Sequence, residues 1–354
     1  MSIGRSRGRL AALICGTALV LAPLTAAAQS EPPKPKQIVV NASGGSMGSA
    51  MRKAYYDDFE KDTGIRVVET SPVDLGKLKA MVQSGNAEWN VTELGGQDAI
   101  FAARSGLLEK IDDKIVDRSK FPEEAHAEYT FAGSVYSTVL AYRTDVFKPG
   151  TQPKGWAEFW DVKKFPGPRS MRNHPVDNLE FALLADGVKP ENLYPIDMDR
   201  AFKKLDEIRP HVTVWWTTGQ QPAQLLLDKE VVLATGWNGR FYDIEKKGAP
   251  IAIDWTGGSI KQGTFAIPKG AKDLYWAQKM LAYMADAKRQ AVFATELGYP
   301  GLNLDSIKFV DAKVAPAMPT YPDNLQKQFW LSAKWWDENL DMAAERWNQW
   351  LLKK

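Results

Sequence analysis

Residues 37–70 read QIVVNASGGSMGSAMRKAYYDDFEKDTGIRVVET, and the order of patterns within them decides the fold. Residues 37–42 are apolar and β-branched, which predicts a buried strand. Met47, Met51, Ala54, Tyr55 and Phe59 then recur at helical spacing, and Gly64 ends that helix. IRVVET (65–70) is a second strand. Outward from there, LGKLKAMVQSG (75–85) predicts a helix ended by Gly85, and WNVTEL (89–94) a third strand. The order β-α-β-α-β implies a parallel sheet under helical cover.

VYSTVLAYRTDV (135–146) predicts a strand that leaves this first lobe. GWAEFWDVKKFPGPRS (155–170) follows, and then a second β-α pattern. It runs through the helix DRAFKKLDEIRP (199–210), the strand VTVWW (212–216), the helix QPAQLLLDKE (221–230) and the strand VVLATGW (231–237). GTFAIPKG (263–270) is one more strand, and residues 273–298 are helices ended by Gly298. The tail from Asn324 is helical and rich in tryptophan (Trp330, Trp335, Trp336, Trp347, Trp350), as core packing across two lobes requires.

The N-terminus sets the expected compartment. Arg5, Arg7 and Arg9 precede an apolar stretch from Leu10 to Leu24 that ends in Ala26-Ala27-Ala28, the form of a secretory signal peptide cleaved after Ala28. Cleavage removes the single cysteine, Cys15, so the exported chain has no thiol or disulfide chemistry. It also removes three arginines, taking the formal charge from +2 to −1. A near-neutral chain has no global electrostatic case for binding nucleic acid or a membrane. Three scattered histidines without metal-ligand spacing make no metal site, and no cofactor is implied.

Six segments together resemble the periplasmic solute-binding proteins of ABC importers, in their spermidine/putrescine-binding branch. They are FEKDTGIRVV (59–68), GLLEKID (106–112), FWDVKKFPG (159–167), DKEVVLATGWNGR (228–240), AIPKGAKD (266–273) and ELGYPGLN (296–303). The resemblance implies an α/β chain of the type II periplasmic-binding-protein fold, two lobes of mixed sheet flanked by helices with a ligand cleft between them. The implied division is a signal peptide (1–28), a flexible leader (29–36), the first part of lobe 1 (37–142), lobe 2 (143–262), a return to lobe 1 (263–323), and C-terminal helices packing across the lobes (324–354). The implied partners are a small-molecule ligand and the membrane subunits of an ABC permease, with the protein itself a periplasmic monomer and not an enzyme.

The resemblance also carries site residues. In polyamine binders acidic side chains hold the ligand's ammonium groups, since a buried cation needs a paired charge. Two of those positions fall here on His174 and Asp177, and a third on Gly263, while the family's aromatic two residues before it is Lys261. Trp237 and Tyr299 match the family's aromatic contacts. Arg240 stands where relatives that bind amino acids hold a carboxylate, for which a guanidinium fork is well shaped. With that arginine kept and two acids gone, the expected ligand is a small organic anion, a mono- or dicarboxylate with room for a hydroxyl or aromatic group. The alternatives on the same fold are a polyamine or ω-amino acid held by other acids such as Asp98 or Asp177, and a ferric or phosphonate ion.

The loop Ser43-Gly44-Gly45-Ser46 is then an anion-holding turn ahead of a helix N-terminus. A second turn, Gly95-Gly96-Gln97-Asp98, is expected to face the cleft with it, as are Thr217 and Thr218 at the end of a second-lobe strand. Gly44 to Gly48 also spells G-x-S-x-G, the pattern of a hydrolase nucleophile elbow, which makes a secreted serine hydrolase using Ser46 the distant alternative. Its position after the first strand, and the lack of any histidine in a triad context, argue against that reading.

Overall fold

The computed structural model describes residues 1–4, 31–148 and 150–352. Most of the expected signal peptide lies outside the described residues. Met1–Pro33 separates as a unit of its own, and the fold is that of Lys34–Lys354.

The first part of that unit is β1 (Gln37–Asn41), α1 (Ser46–Met51), α2 (Asp57–Thr63), β2 (Arg66–Thr70), α3 (Leu75–Gln83), β3 (Val91–Leu94) and α4 (Gly96–Arg104). A π-helical turn, Arg52–Tyr56, joins α1 to α2, so the predicted single helix is continuous with one wide turn. Next come β4 (Phe131–Arg143), α5 (Gly155–Trp160), β5 (Arg169–Arg172), α6 (Pro175–Ala185), α7 (Met198–Ile208), β6 (Val212–Trp216), α8 (Gln221–Leu227), β7 (Leu233–Trp237) and α9 (Asn238–Lys246). The chain ends with β8 (Ile251–Ala266), α10 (Leu274–Ala285), α11 (Ala287–Leu297), α12 (Pro322–Leu325), β9 (Phe329–Trp330) and α13 (Ala333–Leu352).

The strands form one sheet in the order β2-β1-β3-β8-β4-β7-β5-β6, with β9 added beside β8. β1 pairs in parallel with β2 and β3, as the β-α-β-α-β pattern requires, and β5 pairs in parallel with β6 and β7. Between these two parallel sets run β4 and β8, antiparallel to each other. Their ladder runs from Phe131–Thr138 against Phe265–Ser259, with an irregularity at Gly133, and then from Leu140–Arg143 against Asp254–Ile251. At the break, Trp255–Gly258 stand opposite Val139 alone, and Gly257 takes a left-handed φ of 72°.

The apolar core divides at the same place. Phe59, Phe131, Phe265, Trp276 and Met280 pack under β1–β3, with a smaller cluster around Leu78 and Ala102 of α3 and α4. Leu140, Trp156, Phe181 and Leu205 form a separate core, beside one that holds Val139, Leu226 and Phe241. These are two lobes, each a mixed sheet flanked by helices, joined through two long strands. The tail is core in character. Trp336, Trp347 and Trp350 of α13 are buried in the second lobe, while Asp337 of the same helix meets Arg104 of α4 at 2.9 Å. Tyr55 and Tyr56 are likewise fully buried in the first lobe.

Candidate ligand-binding cleft

Parallel strands in open α/β sheets present ligand groups at their carboxyl ends. In the first lobe β1 ends before Ser43, and β3 leads through Gly95 into α4, whose first turn carries Gln97 and Asp98. In the second lobe β5 ends on Arg172, β6 ends just before Thr217, and β7 ends on Trp237. These ends face one cleft of about 270 Å³. Its floor is made by the joining strands, through Tyr136, Lys261 and Gly263. The volume lies just under the ~300–1,000 Å³ usual for small-molecule sites, so the ligand is of metabolite size.

On the floor, Lys261 is already paired. Its Nζ lies 2.5 Å from Asp177 Oδ1 and 2.7 Å from Thr138 Oγ1, and Thr138 also donates to Asp177 Oδ2 at 2.9 Å. Burial pulls the Lys261 ammonium below its ordinary pKa. Burial alone would raise Asp177, but Lys261 and Arg172 hold its carboxyl below the usual carboxylate range. The pair is therefore an internal salt bridge with little net charge left for a ligand.

The walls are different. The Arg172 guanidinium lies over the rings of Trp216 and Trp237, 5.9 and 5.8 Å from their centroids, and makes no hydrogen bond or ion pair to any described residue. Opposite it, the Asp98 carboxylate also lacks a hydrogen-bond or ion-pair partner among the described residues. Burial raises the Asp98 pKa, and the field of Arg172 opposes that rise. Glu93 lines the same wall, accepting from Ser43 N at 2.7 Å and Ser43 Oγ at 2.5 Å. Burial raises its pKa as well, against those hydrogen bonds and the charge of Arg240. Trp237 stands edge-on to Trp216 and Tyr136 at 5.9 and 6.2 Å, and its Nε1 is buried without a partner among the described residues. A Cβ on Gly219 would fall 2.1 Å from the Trp237 ring, so glycine at that position is what lets the indole approach the β6–α8 turn so closely.

Of the residues singled out from sequence, Ser43, Gln97, Thr217, Thr218, Trp237 and Lys261 line the cleft. Gly96 instead faces a neighbouring apolar cavity beside Ala99 and Trp330. His174 caps α6, where its Nδ1 accepts from Val176 N at 3.2 Å. Burial, with Arg172 adding to it, lowers its pKa to about 3, so the imidazole is neutral. Tyr299 is buried beside the cleft, its ring 5.8 Å from that of Tyr136. Arg240 lies off the lining. It donates from Nη1 to Ser46 Oγ at 2.6 Å and from Nη2 to Gly44 O at 3.2 Å, so Gly44, Gly45 and Ser46 turn toward Arg240. Ser46 has an arginine as its partner, and no histidine hydrogen-bonds to it among the described residues.

Sequence reasoning did not single out Arg172, Glu93 or Tyr136, and it weighed Asp98 only as an alternative. The argument that the cleft had lost its acids therefore needs correction: the acids sit on the first-lobe wall, away from the positions at His174 and Gly263. Arg172 and Glu93 fall on strands that lead into the cleft; the strand-end rule applied to the predicted β3 points to Glu93, whereas β5 is too short to be read from the sequence. No group of metal-binding side chains occurs among the described residues.

Residues 54–320 match a family described as bacterial extracellular solute-binding protein. The chain is 33% identical over 335 residues to the gamma-aminobutyric acid-binding protein of Pseudomonas aeruginosa, covering 93% of this chain and 94% of that one. It is 26% identical over 290 residues to the spermidine/putrescine-binding periplasmic protein 1 of Haemophilus influenzae, covering 77% and 79%. Among solved structures, an ABC transporter substrate-binding protein from Bradyrhizobium japonicum superposes with a TM-score of 0.83 at 37% identity, covering 90% of this chain and all of that one.

Proposed function

The chain belongs to the bacterial extracellular solute-binding protein family and is the substrate-binding component of an ABC transporter; from that premise we propose that it captures a small zwitterion, an ω-amino acid, in the periplasm. The observation that carries this reading is the pair of unpartnered opposite charges on facing walls, Arg172 from the second lobe and Asp98 from the first. A carboxylate on the guanidinium and an ammonium toward Asp98 and Glu93 satisfy both walls at once. Each charge would be poorly placed facing a ligand of one sign, because a desolvated group without a counter-charge is costly. Trp237 and Tyr136 then cover the carbon chain between the two charged ends. The P. aeruginosa relative is named for gamma-aminobutyric acid, which has this form.

A simple organic anion is the second reading, favoured by one observation. The Arg172 guanidinium by itself offers a fork to a carboxylate, while burial works against a charged Asp98. Thermal unfolding of refolded, ligand-free protein separates the two, because a ligand that binds only the native state raises the midpoint. The panel is γ-aminobutyrate, butyrate, succinate, butylamine and putrescine. Shifts for γ-aminobutyrate with none for butyrate or butylamine support the zwitterion. Shifts for butyrate or succinate alone establish the anion instead, and shifts for putrescine alone reject both.

A further inference from the structure

The floor of the cleft holds a complete receptor for one ammonium group, and the group inside it belongs to the protein. Lys261 Nζ lies 2.5 Å from Asp177 Oδ1, 2.7 Å from Thr138 Oγ1 and 3.4 Å from Ser259 Oγ, so each of its N–H bonds has an acceptor. The ring of Tyr136 completes the surround, its centroid 5.5 Å from Nζ. A carboxylate, two hydroxyls and an aromatic face are what a desolvated primary ammonium requires.

The receptor does not depend on the lysine for its shape. Asp177 comes from α6, Thr138 and Tyr136 from β4, and Ser259 from β8. Asp177 is held in place by its own left-handed backbone, φ 73°, and by the hydroxyls of Thr138 and Ser259. Lys261 approaches it from the cavity, which it lines together with Tyr136 and Gly263, while Asp177 behind it is closed off from solvent. Gly263, two residues along the same strand, adds no side chain to bar the way. Cut back to Cβ, the lysine would leave a channel from the cavity to Asp177, as long as the propylammonium it replaces.

We propose that Lys261 is a specificity-determining residue: its side chain plugs an ammonium subsite that ends at Asp177, and so denies the cleft to ligands with a second ammonium, the diamines and polyamines. A diamine reaching the floor would set its inner cation against the Lys261 ammonium, with Asp177 already taken. A ligand with one ammonium uses the Asp98 wall and has no need of the floor. The proposal rests on the reading of this cleft as the ligand site, but its test does not use γ-aminobutyrate.

That test is chemical rescue. In Lys261→Ala, propylammonium supplies the atoms from Cγ to Nζ that the substitution removes. Thermal unfolding of the variant is followed with propylammonium chloride, 1-propanol or sodium propionate at equal ionic strength. Propylammonium is expected to raise the midpoint by roughly 2–4 °C, and the other two to leave it in place. The same amine should not move the unmutated protein or the double variant Lys261→Ala with Asp177→Asn. In calorimetry, putrescine should bind Lys261→Ala at least about tenfold more tightly than the unmutated protein. Absence of selective rescue by propylammonium overturns the proposal, as does putrescine binding equally to both proteins. If Lys261→Ala does not fold unaided, rescue is read in refolding. Native tryptophan fluorescence recovered only with propylammonium supports the plug, and recovery with none of the three additives overturns it. Butyrate binding by the unmutated protein would reject the zwitterion reading, while propylammonium rescue would still support the plug.

Discussion

Replacing Lys261 by methionine should destabilise the protein far more than the loss of one hydrogen bond. Lys261, 8% exposed, holds its ammonium 2.5 Å from the carboxylate of Asp177, which is fully buried. Asp177 is also held in a left-handed conformation, φ 73°, at the start of α6, so its side chain cannot swing out to water without disturbing the helix. Taking Lys261 away leaves a desolvated anion supported by hydroxyl donors, Thr138 Oγ1 at 2.9 Å and the Ser259 side chain, and by no paired ammonium. Breaking a buried pair from one side typically costs about 3–5 kcal/mol. Removing both charges, with Lys261→Met and Asp177→Asn together, should recover most of that, since an uncharged pair of similar volume carries no desolvation debt. The Lys261→Met variant should also become relatively more stable as pH falls, because Asp177 without its partner titrates upward and neutralises. The assay is urea unfolding followed by fluorescence of the 13 tryptophans, for the two single variants and the double, at pH 5.5 and 7.5. A Lys261→Met penalty under about 1 kcal/mol, or a double variant no better than the single, would refute the reasoning. It would also mean that the floor is not neutral and that Lys261 is available to a ligand.

Arg172→Met should weaken γ-aminobutyrate binding about 10–100-fold in calorimetry, the loss of a charge-assisted contact worth roughly 1.5–3 kcal/mol, while leaving the unfolding midpoint of ligand-free protein nearly unchanged. Glu180 of α6 is a second buried carboxyl. It accepts from Tyr194 OH and Trp336 Nε1, leaves Oε2 unpartnered, and is raised by burial and by Asp177 from 4.5 to about 7. A carboxyl raised on folding contributes stability that is complete below its unfolded pKa and is lost as pH rises through the folded one. The unfolding midpoint should therefore fall between pH 5 and 8, by the equivalent of about 3 kcal/mol at most, and Glu180→Gln should flatten that slope. Gly219→Ala should displace the Trp237 ring and lower ligand affinity at least tenfold by calorimetry, because its Cβ would fall inside the indole.

The first lobe was legible because its periodicities are clean and its glycines mark real ends: Gly64 and Gly298 both close helices in the left-handed conformation. β8 was read as the short segment GTFAIPKG but runs from Ile251 to Ala266. Thr256-Gly257-Gly258 and the lysine at 261 break its alternation, and those interruptions belong to the bulge and the cleft floor. Two-residue β9 has no periodicity to detect, since it exists only by pairing with β8. Trp237 and Ser43, expected from the family resemblance, and Thr217, expected from its place at a strand end, all line the same cavity. Arg172 was passed over because RSMR is too short to read as a strand without its neighbours. For Lys261 and Arg240, chemistry was foreseen but not partner: one is consumed by Asp177, the other by Ser46 and Gly44, and neither pairing spans fewer than 80 residues of sequence.

The most direct measurement is a crystal structure of the protein with γ-aminobutyrate bound. The expected result places the carboxylate within hydrogen-bond distance of the Arg172 guanidinium, the ammonium toward Asp98 and Glu93, and Arg240 still on Ser46 and Gly44. A carboxylate seated on Arg240, or an ammonium lodged beside Arg172, would contradict the assignment of the two walls.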